Sequence, residues 1–415
     1  MASSTAASSG TPVSATTRER FTFFDGIRGL GAIQVVLAHM FSLFFPVVAR
    51  VQPAAEDSLG HFLAHSPFFF VLDGGVAVFA FFLMSGFVLS HTFLKTDLSA
   101  GRQVAKRFVR LYLPVLAALA LAIVLLTIWP GMRARMEVLN ASQWIRQLYV
   151  FSVEPGWPLL QDVLLNSMLL GYSGASIFGQ LQSSFLGIKL VGLSQALDPP
   201  LWTLHIEFWG SLLTLAVVKA YTHLPRIAFW PLLVIVCVLV ADALLSLFII
   251  GFLAYIWRGL LLGERGTRPR SYLSGLFLVS GIVLSVYNIL QPSLGLQIEK
   301  QIAALLIVMA VLVSPRLRRL FSLRWAAWLG RLSFSIYLTH FPILFTIGIA
   351  LFLPLEPWLG YMPAALIACG ASIGVSLLVA IPFERYIDRP SIRLSHRVGG
   401  PHAHDRNPRP AGDLT

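Results

Sequence analysis

Apolar runs of about seventeen or more residues recur along most of this chain. Each is long enough to cross a hydrocarbon core of about 30 Å at 1.5 Å rise per residue. The fold class that follows is all-α: a polytopic integral membrane protein. Of the 415 residues, 56% are apolar and 12% charged, against the roughly 25% charge of a soluble domain, which excludes a water-soluble enzyme. The formal charge is 31 − 19 = +12. The basic residues sit in short clusters between apolar runs rather than on one soluble face, so the charge reports membrane topology and not nucleic-acid binding. Cys237 and Cys369 both lie in long apolar runs, which leaves neither a disulfide framework nor a cysteine zinc site. No metal site is expected.

Ten spans are expected, at about 29–49, 74–94, 112–129, 201–221, 227–243, 244–262, 272–290, 299–314, 332–353 and 361–383. With the N-terminus in the cytoplasm, 25 of the 31 Lys and Arg fall on cytoplasmic segments and 6 outside, as the positive-inside rule requires. An even number of spans then places both termini in the cytoplasm. The Ser, Thr and Ala-rich residues 1–20 and the polar residues 394–415 cannot bury enough apolar surface to order themselves and are expected to be disordered tails. One membrane domain is expected over 21–393, with no soluble domain appended and with the first helix kept in the mature protein. The long outer loop, 130–200, carries two apolar runs, Trp144 to Val150 and Pro158 to Leu170. Both are too short to span and are expected to be interfacial or re-entrant helices. Asp73 and Asp242, near outer ends, are expected to reach water.

Ionisable side chains within the hydrocarbon are costly and therefore mark function first. His39, His205, Glu207 and His340 are in that position. Arg28 and His39 are eleven residues apart on the first span, within about 20° of one helical face and about 16 Å along the axis. They are expected to look down one shared groove. At its cytoplasmic mouth the Arg28 guanidinium suits a bidentate phosphate grip, and at mid-membrane the His39 imidazole suits proton abstraction. Arg107 and Arg110, at i and i+3, project from one face and either clamp a polyphosphate beside Arg28 or serve as topology anchors. Ser85 and Gly86 form a small pair among aromatics that either lets helices approach or lines a ligand slot. Glu207 either orients an acceptor hydroxyl or forms a buried pair with His39 or an Arg, and His205 points to another face. Ser333, Tyr337 and His340 fall near one helical side.

Taken together, Arg28 with His39, Arg107 with Arg110, Ser85-Gly86-Phe87, Leu201-Trp202-Thr203 with Glu207, and Tyr337-Leu338-Thr339-His340-Phe341-Pro342 resemble the integral-membrane acyltransferase family 3, from about residue 21 to 393. The resemblance implies a cytoplasmic acyl-CoA donor, usually acetyl-CoA, and a hydroxyl acceptor on a sugar, glycan or lipid-like small molecule. It carries the family's functional arginines and histidine onto Arg28, His39, Arg107 and Arg110. Acyl-CoA is then a co-substrate, with no permanently bound cofactor. The expected site has His39 and Glu207 as catalytic groups and Arg28, Arg107 and Arg110 on the donor, with Ser85, Tyr337 and His340 against substrate. The rival expectation is a secondary transporter with His39, Glu207 and His340 as a proton relay, although neither inverted repeats nor paired broken spans stand out.

Overall fold

A computed structural model describes residues 21–53, 55–128, 131, 135–136, 156–178, 184–185, 188–240, 244–263, 268–287 and 296–399. The run at 144–150, Asp242, residues 1–20 and residues 400–415 lie outside them. The main helices are α1 (Thr22–Phe44), α2 (Leu59–His65), α3 (Gly74–Leu94), α4 (Ala100–Ile128), α5 (Trp157–Gln161), α6 (Trp202–His223), α7 (Arg226–Leu239), α8 (Ser246–Ile256), α9 (Arg268–Tyr287), α10 (Leu296–Val313), α11 (Pro315–Phe321), α12 (Arg324–Ile343), α13 (Ile349–Leu359), α14 (Tyr361–Phe383) and α15 (Arg389–Gly399). A two-residue ladder, β1 (Ser184–Phe185) against β2 (Ile188–Lys189), pairs Ser184 with Lys189 and Phe185 with Ile188.

Among the described residues, seven helical stretches are long and apolar enough to cross a membrane, or eight if one bent pair is a span. The expected count of ten is therefore not reached. Two of the expected spans become α7 and α8, of 14 and 11 residues, about 21 and 17 Å long and short of the hydrocarbon thickness. The span expected at 299–314 ends in a 100° bend. There Ser314 accepts a hydrogen bond from the Leu317 N–H and Pro315 opens α11, the combination that starts a new helix. The last two stretches run on unbroken, Arg324–Leu359 and Tyr361–Val398. Each contains a proline, Pro342 or Pro382, followed by a π-helical turn, Leu344–Gly348 or Glu384–Asp388. The wider turn accommodates the missing proline donor. The final helix reaches Gly399, six residues past the expected end of the membrane domain.

Small residues set which helices touch. A Cβ on Gly29 of α1 would meet the Gly330 backbone nitrogen of α12 at 2.7 Å, and Gly26 faces the Phe321 backbone equally closely. Gly86 of α3 and Gly251 of α8 face each other in the same way, a Cβ on Gly251 meeting the Gly86 Cα at 2.9 Å. In lipid such close approach substitutes for the hydrophobic effect as the source of helix association. The first contact joins α1 to α12 and the second joins α3 to α8; α1 also packs on α3, α6 and α10 pack on α3, and α4 and α14 pack on α12. The two largest buried clusters lie one around Leu83, Met84, Phe87, Val115, Leu119 and Phe248, the other around Met40, Phe341, Phe345, Ala364 and Ala368.

The described part of the long loop folds inward. Its apolar run forms α5 and a π-helical continuation, Asp162–Leu170, docked on α4 and α6. The Tyr112 hydroxyl donates to Leu164 O and the Trp209 indole N–H donates to Leu169 O, both at 2.9 Å. Pro199, Pro200 and Leu201, one 3-10 turn before α6, are all buried. Helix α6 thus begins inside the protein and not at its surface.

Candidate active site

Two cavities open on either side of the α1–α3–α12 contact. The first, about 400 Å³, is lined by Arg28, Ser85, Arg107, Arg110, Glu207 and Asp388 among others. Arg28 enters it from the second turn of α1. Arg107 is ion-paired with Glu207 of α6, and Arg110 with Asp388 of the π-helical turn after α14. The Arg110 guanidinium also lies 5.0 Å from the Phe334 ring centroid, and Arg389 donates from Nε to Glu384 Oε1 at 2.6 Å. The arginines and carboxylates therefore pin α4 to α6 and to the α14–α15 turn. Pairing absorbs most of the charge in this chamber but not all of its donors. The Nε of Arg107 is buried without a hydrogen-bond partner, and Arg28 has no carboxylate partner among the described residues. An orphaned buried donor is costly unless something completes it. Here a polyanionic ligand would.

The second cavity, about 610 Å³, is walled mainly by apolar and aromatic side chains, including Val35, Phe69, Phe79, Trp202 and Phe341, and His39 lies in its wall. His39 Nδ1 is 2.9 Å from His340 Nε2, the two rings nearly parallel at 19°. Phe341 meets the His39 ring edge-on at a centroid distance of 5.1 Å. His340 is fully buried, and its Nδ1 donates to Tyr337 O at 2.8 Å and lies 3.1 Å from Ile336 O. The same cavity holds an ion pair: Lys300 Nζ lies 3.0 Å from Asp73 Oδ1, and the Ser285 hydroxyl donates to Asp73 Oδ2 at 2.8 Å. The Asp73 carboxylate also accepts from the Val76 N–H and so caps α3.

Tyr337 and Val78 line both cavities. The Tyr337 hydroxyl lies 2.6 Å from Thr203 Oγ1 and 2.9 Å from Pro200 O, which ties α12 to the inward start of α6. The shared groove expected for Arg28 and His39 is thus two chambers meeting at one tyrosine.

Each sequence candidate now has a place. Arg28, Arg107, Arg110, Glu207 and Ser85 share the first cavity; His39 lines the second with His340 beneath it; Tyr337 stands between. The inward start of α6 brings Glu207 to Arg107. Of the pairings open to it, the arginine is the one formed. His205 holds the loop: its Nδ1 donates to Met168 O at 3.2 Å and its Nε2 accepts from Ile177 N at 3.1 Å. Asp73 does not simply reach water, since it is 1% exposed. Arg50 went unremarked in the sequence. It has a φ of +59°, an uncommon backbone for a side-chain-bearing residue. Its guanidinium is fixed over the Phe69 ring at 3.7 Å and donates to Ala64 O and Val286 O, each at 2.6 Å.

Asp162 and Asp198 of the loop were equally unsignalled. Asp162 accepts from the Tyr172 hydroxyl at 2.6 Å and from Leu197 N at 2.8 Å. Burial pushes its carboxyl up to about 6 despite those two donors. Asp198 is fully buried with neither carboxylate oxygen hydrogen-bonded, and burial, reinforced by Asp162, pushes it further up.

Comparison with known proteins adds three findings. A family model described as an acyltransferase domain matches residues 21–381. The chain is similar to the O-acetyltransferase PaAT-1 of Phomopsis amygdali, 25% identical over a 433-residue alignment that covers 90% of this chain and 83% of that protein. No solved structure matches.

Proposed function

We propose, because this chain belongs to the acyltransferase domain family, that it transfers an acyl group, acetyl by its similarity to PaAT-1, from a CoA thioester to a hydroxyl. The phosphates of the donor lie in the first cavity against Arg28 and the orphaned N–H of Arg107, with Arg110 behind them. The pantetheine arm passes Tyr337 and Val78 and delivers the thioester to the second cavity. There His39 takes the proton of the acceptor hydroxyl as the oxygen attacks the thioester carbonyl. The tetrahedral intermediate expels the CoA thiolate, which recovers that proton from the imidazolium. The donor side is cytoplasmic, in keeping with the basic segments at the same end of the spans.

The observation that carries this reading is the adjacency of the two chambers: unspent cationic donors in one, an imidazole in the other, and Tyr337 and Val78 lining both. General-base catalysis supplies typically 10²- to 10⁴-fold, and holding donor and acceptor together adds more. The apolar walls of the second cavity favour an acceptor with a hydroxyl on a lipid-like or otherwise amphipathic body. The relay of a transporter would need Glu207 beside the histidines, whereas it is engaged by Arg107 in the other chamber.

The test uses purified protein in detergent, acetyl-CoA, and a mixture of sugars and lipid-like alcohols. Acceptor-dependent release of free CoA is the expected result. Acceptor-independent solute uptake by reconstituted vesicles, with no CoA released, would support the transporter instead.

A further inference from the structure

His340 lies where no acceptor can reach it directly, fully buried and separated from the second cavity by His39. Its hydrogen bonds carry directional information. A carbonyl oxygen only accepts, so the ring nitrogen 2.8 Å from Tyr337 O, Nδ1, must bear a hydrogen. In the neutral ring the lone pair is then on Nε2. That nitrogen is 2.9 Å from His39 Nδ1, and a contact of this length between two ring nitrogens needs one proton between them. His340 has none to give there, so His39 Nδ1 is the donor. The lone pair of His39 is left on Nε2.

We propose that His340 is a positioning residue that imposes the Nδ1–H tautomer on His39 and so makes Nε2 the nitrogen that receives the acceptor's proton. The chain of direction starts at the Tyr337 main-chain carbonyl, which cannot change its hydrogen-bonding sense, passes through two imidazoles and ends at the reacting hydroxyl. It does the work a carboxylate does in a Ser-His-Asp arrangement, with a neutral partner in its place. A buried carboxylate at this depth would itself have been expensive to ionise; an imidazole anchored to a helix carbonyl fixes the tautomer without a second charge. Phe341, edge-on to the His39 ring, limits the ring flip that would exchange the two nitrogens. The catalytic meaning of this arrangement rests on the reading of His39 as the base, but the tautomer itself does not.

Nitrogen-15 NMR of histidine-labelled protein in lipid tests it, with the His39 resonances assigned by their loss in His39→Gln. The expected wild-type spectrum has a protonated Nδ1 and a bare Nε2 on His39, the bare nitrogen far downfield. In His340→Ala the His39 signals are expected to shift towards a mixture of the two tautomers. In His340→Gln, whose amide oxygen can still accept, they are expected to return towards the wild-type pattern. A protonated Nε2 on wild-type His39, or an unaltered single tautomer in His340→Ala, overturns the proposal. Should His340→Ala not fold, the wild-type spectrum and His340→Gln decide between the same outcomes. Turnover of His39→Gln is a separate measurement: near-normal activity there removes His39 as base and leaves the tautomer result standing.

Discussion

The two chambers are built on opposite principles. In the first, Arg107 and Arg110 are locked by carboxylates from α6 and from the turn after α14, so charge is abundant and nearly balanced. In the second, most of the wall is apolar and the two imidazoles contact each other, and the charged groups among its lining residues are Arg50 and the Asp73–Lys300 pair. A site that grips a polyanion needs fixed cations whose fork geometry is held before the ligand arrives, and partner carboxylates provide that rigidity. Proton transfer to an imidazole needs a dry, oriented site with little competing charge. On the proposed function, the difference between the chambers is a division of labour. It predicts that substitutions in the first will act on donor affinity and those in the second on the chemical step.

The largest effect is expected from His39→Ala. Turnover should fall by about 10²- to 10⁴-fold, the range of a general base, while acetyl-CoA binding measured by calorimetry stays within about twofold of wild type. Loss of binding in parallel with turnover would erase the separation between the chambers. Next comes Arg28→Ala, which removes a cation with no carboxylate partner among the described residues. One charge-assisted hydrogen bond of about 1.5–3 kcal/mol corresponds to a rise of roughly 10- to 100-fold in the Michaelis constant for acetyl-CoA, with kcat nearly unchanged. Glu207→Gln should do less. It keeps an acceptor for Arg107 but weakens the anchor, and the pair is partly exposed, with side chains 18% and 16% accessible. A severalfold rise in the Michaelis constant is expected, on the order of 1 kcal/mol. A collapse of kcat at constant Michaelis constant would instead move Glu207 to the acceptor.

How much of this was legible beforehand depends on whether the signal was local. The placement of Arg28 and His39 along one helix follows from helical geometry, and so does the projection of Arg107 and Arg110 from the start of α4. The small pair Ser85-Gly86 left two readings open in sequence, and the structure shows both: Gly86 makes the close helix contact and Ser85 lines the first cavity. The facts that crossed between helices were hidden. Nothing in periodicity pairs His340 with His39, 301 residues away, or Glu207 with Arg107, 100 residues away. Counting spans by hydropathy includes α7 and α8, which among the described residues are apolar but short. Hydropathy measures what a segment tolerates, whereas length and bend decide what it crosses. Asp73 was passed over because a carboxylate at a span end usually reaches water; its Lys300 and Ser285 partners lie on distant helices.

The last effect is on stability and not on turnover, and it separates the chambers by their walls. Leu193, Pro199 and Pro200 of the loop line only the histidine cavity, and Asp162 ties that loop down through the Leu197 N–H and the Tyr172 hydroxyl. Buried beside Asp198, Asp162 has a carboxyl pushed up to about 6 from an ordinary 3.8. Between those values the folded protein holds a proton that the unfolded chain has released, so stability is greatest below pH 4 as far as this group is concerned. It declines as pH rises and the contribution is gone above about pH 6, a change of about 3 kcal/mol at 1.36 kcal/mol per unit. Roughly half of that change falls between pH 5 and 7, a fall of a few degrees in melting temperature for a chain of this size. Asp162→Asn should flatten the dependence, since an amide keeps an oxygen acceptor and does not titrate. Hydrogen exchange across the same pH range should loosen residues around 193–200 while those around Arg107 stay unchanged. Equal loosening at both places would mean that the loop and the arginine chamber share one cooperative unit, and the two walls would then have to be treated as a single one.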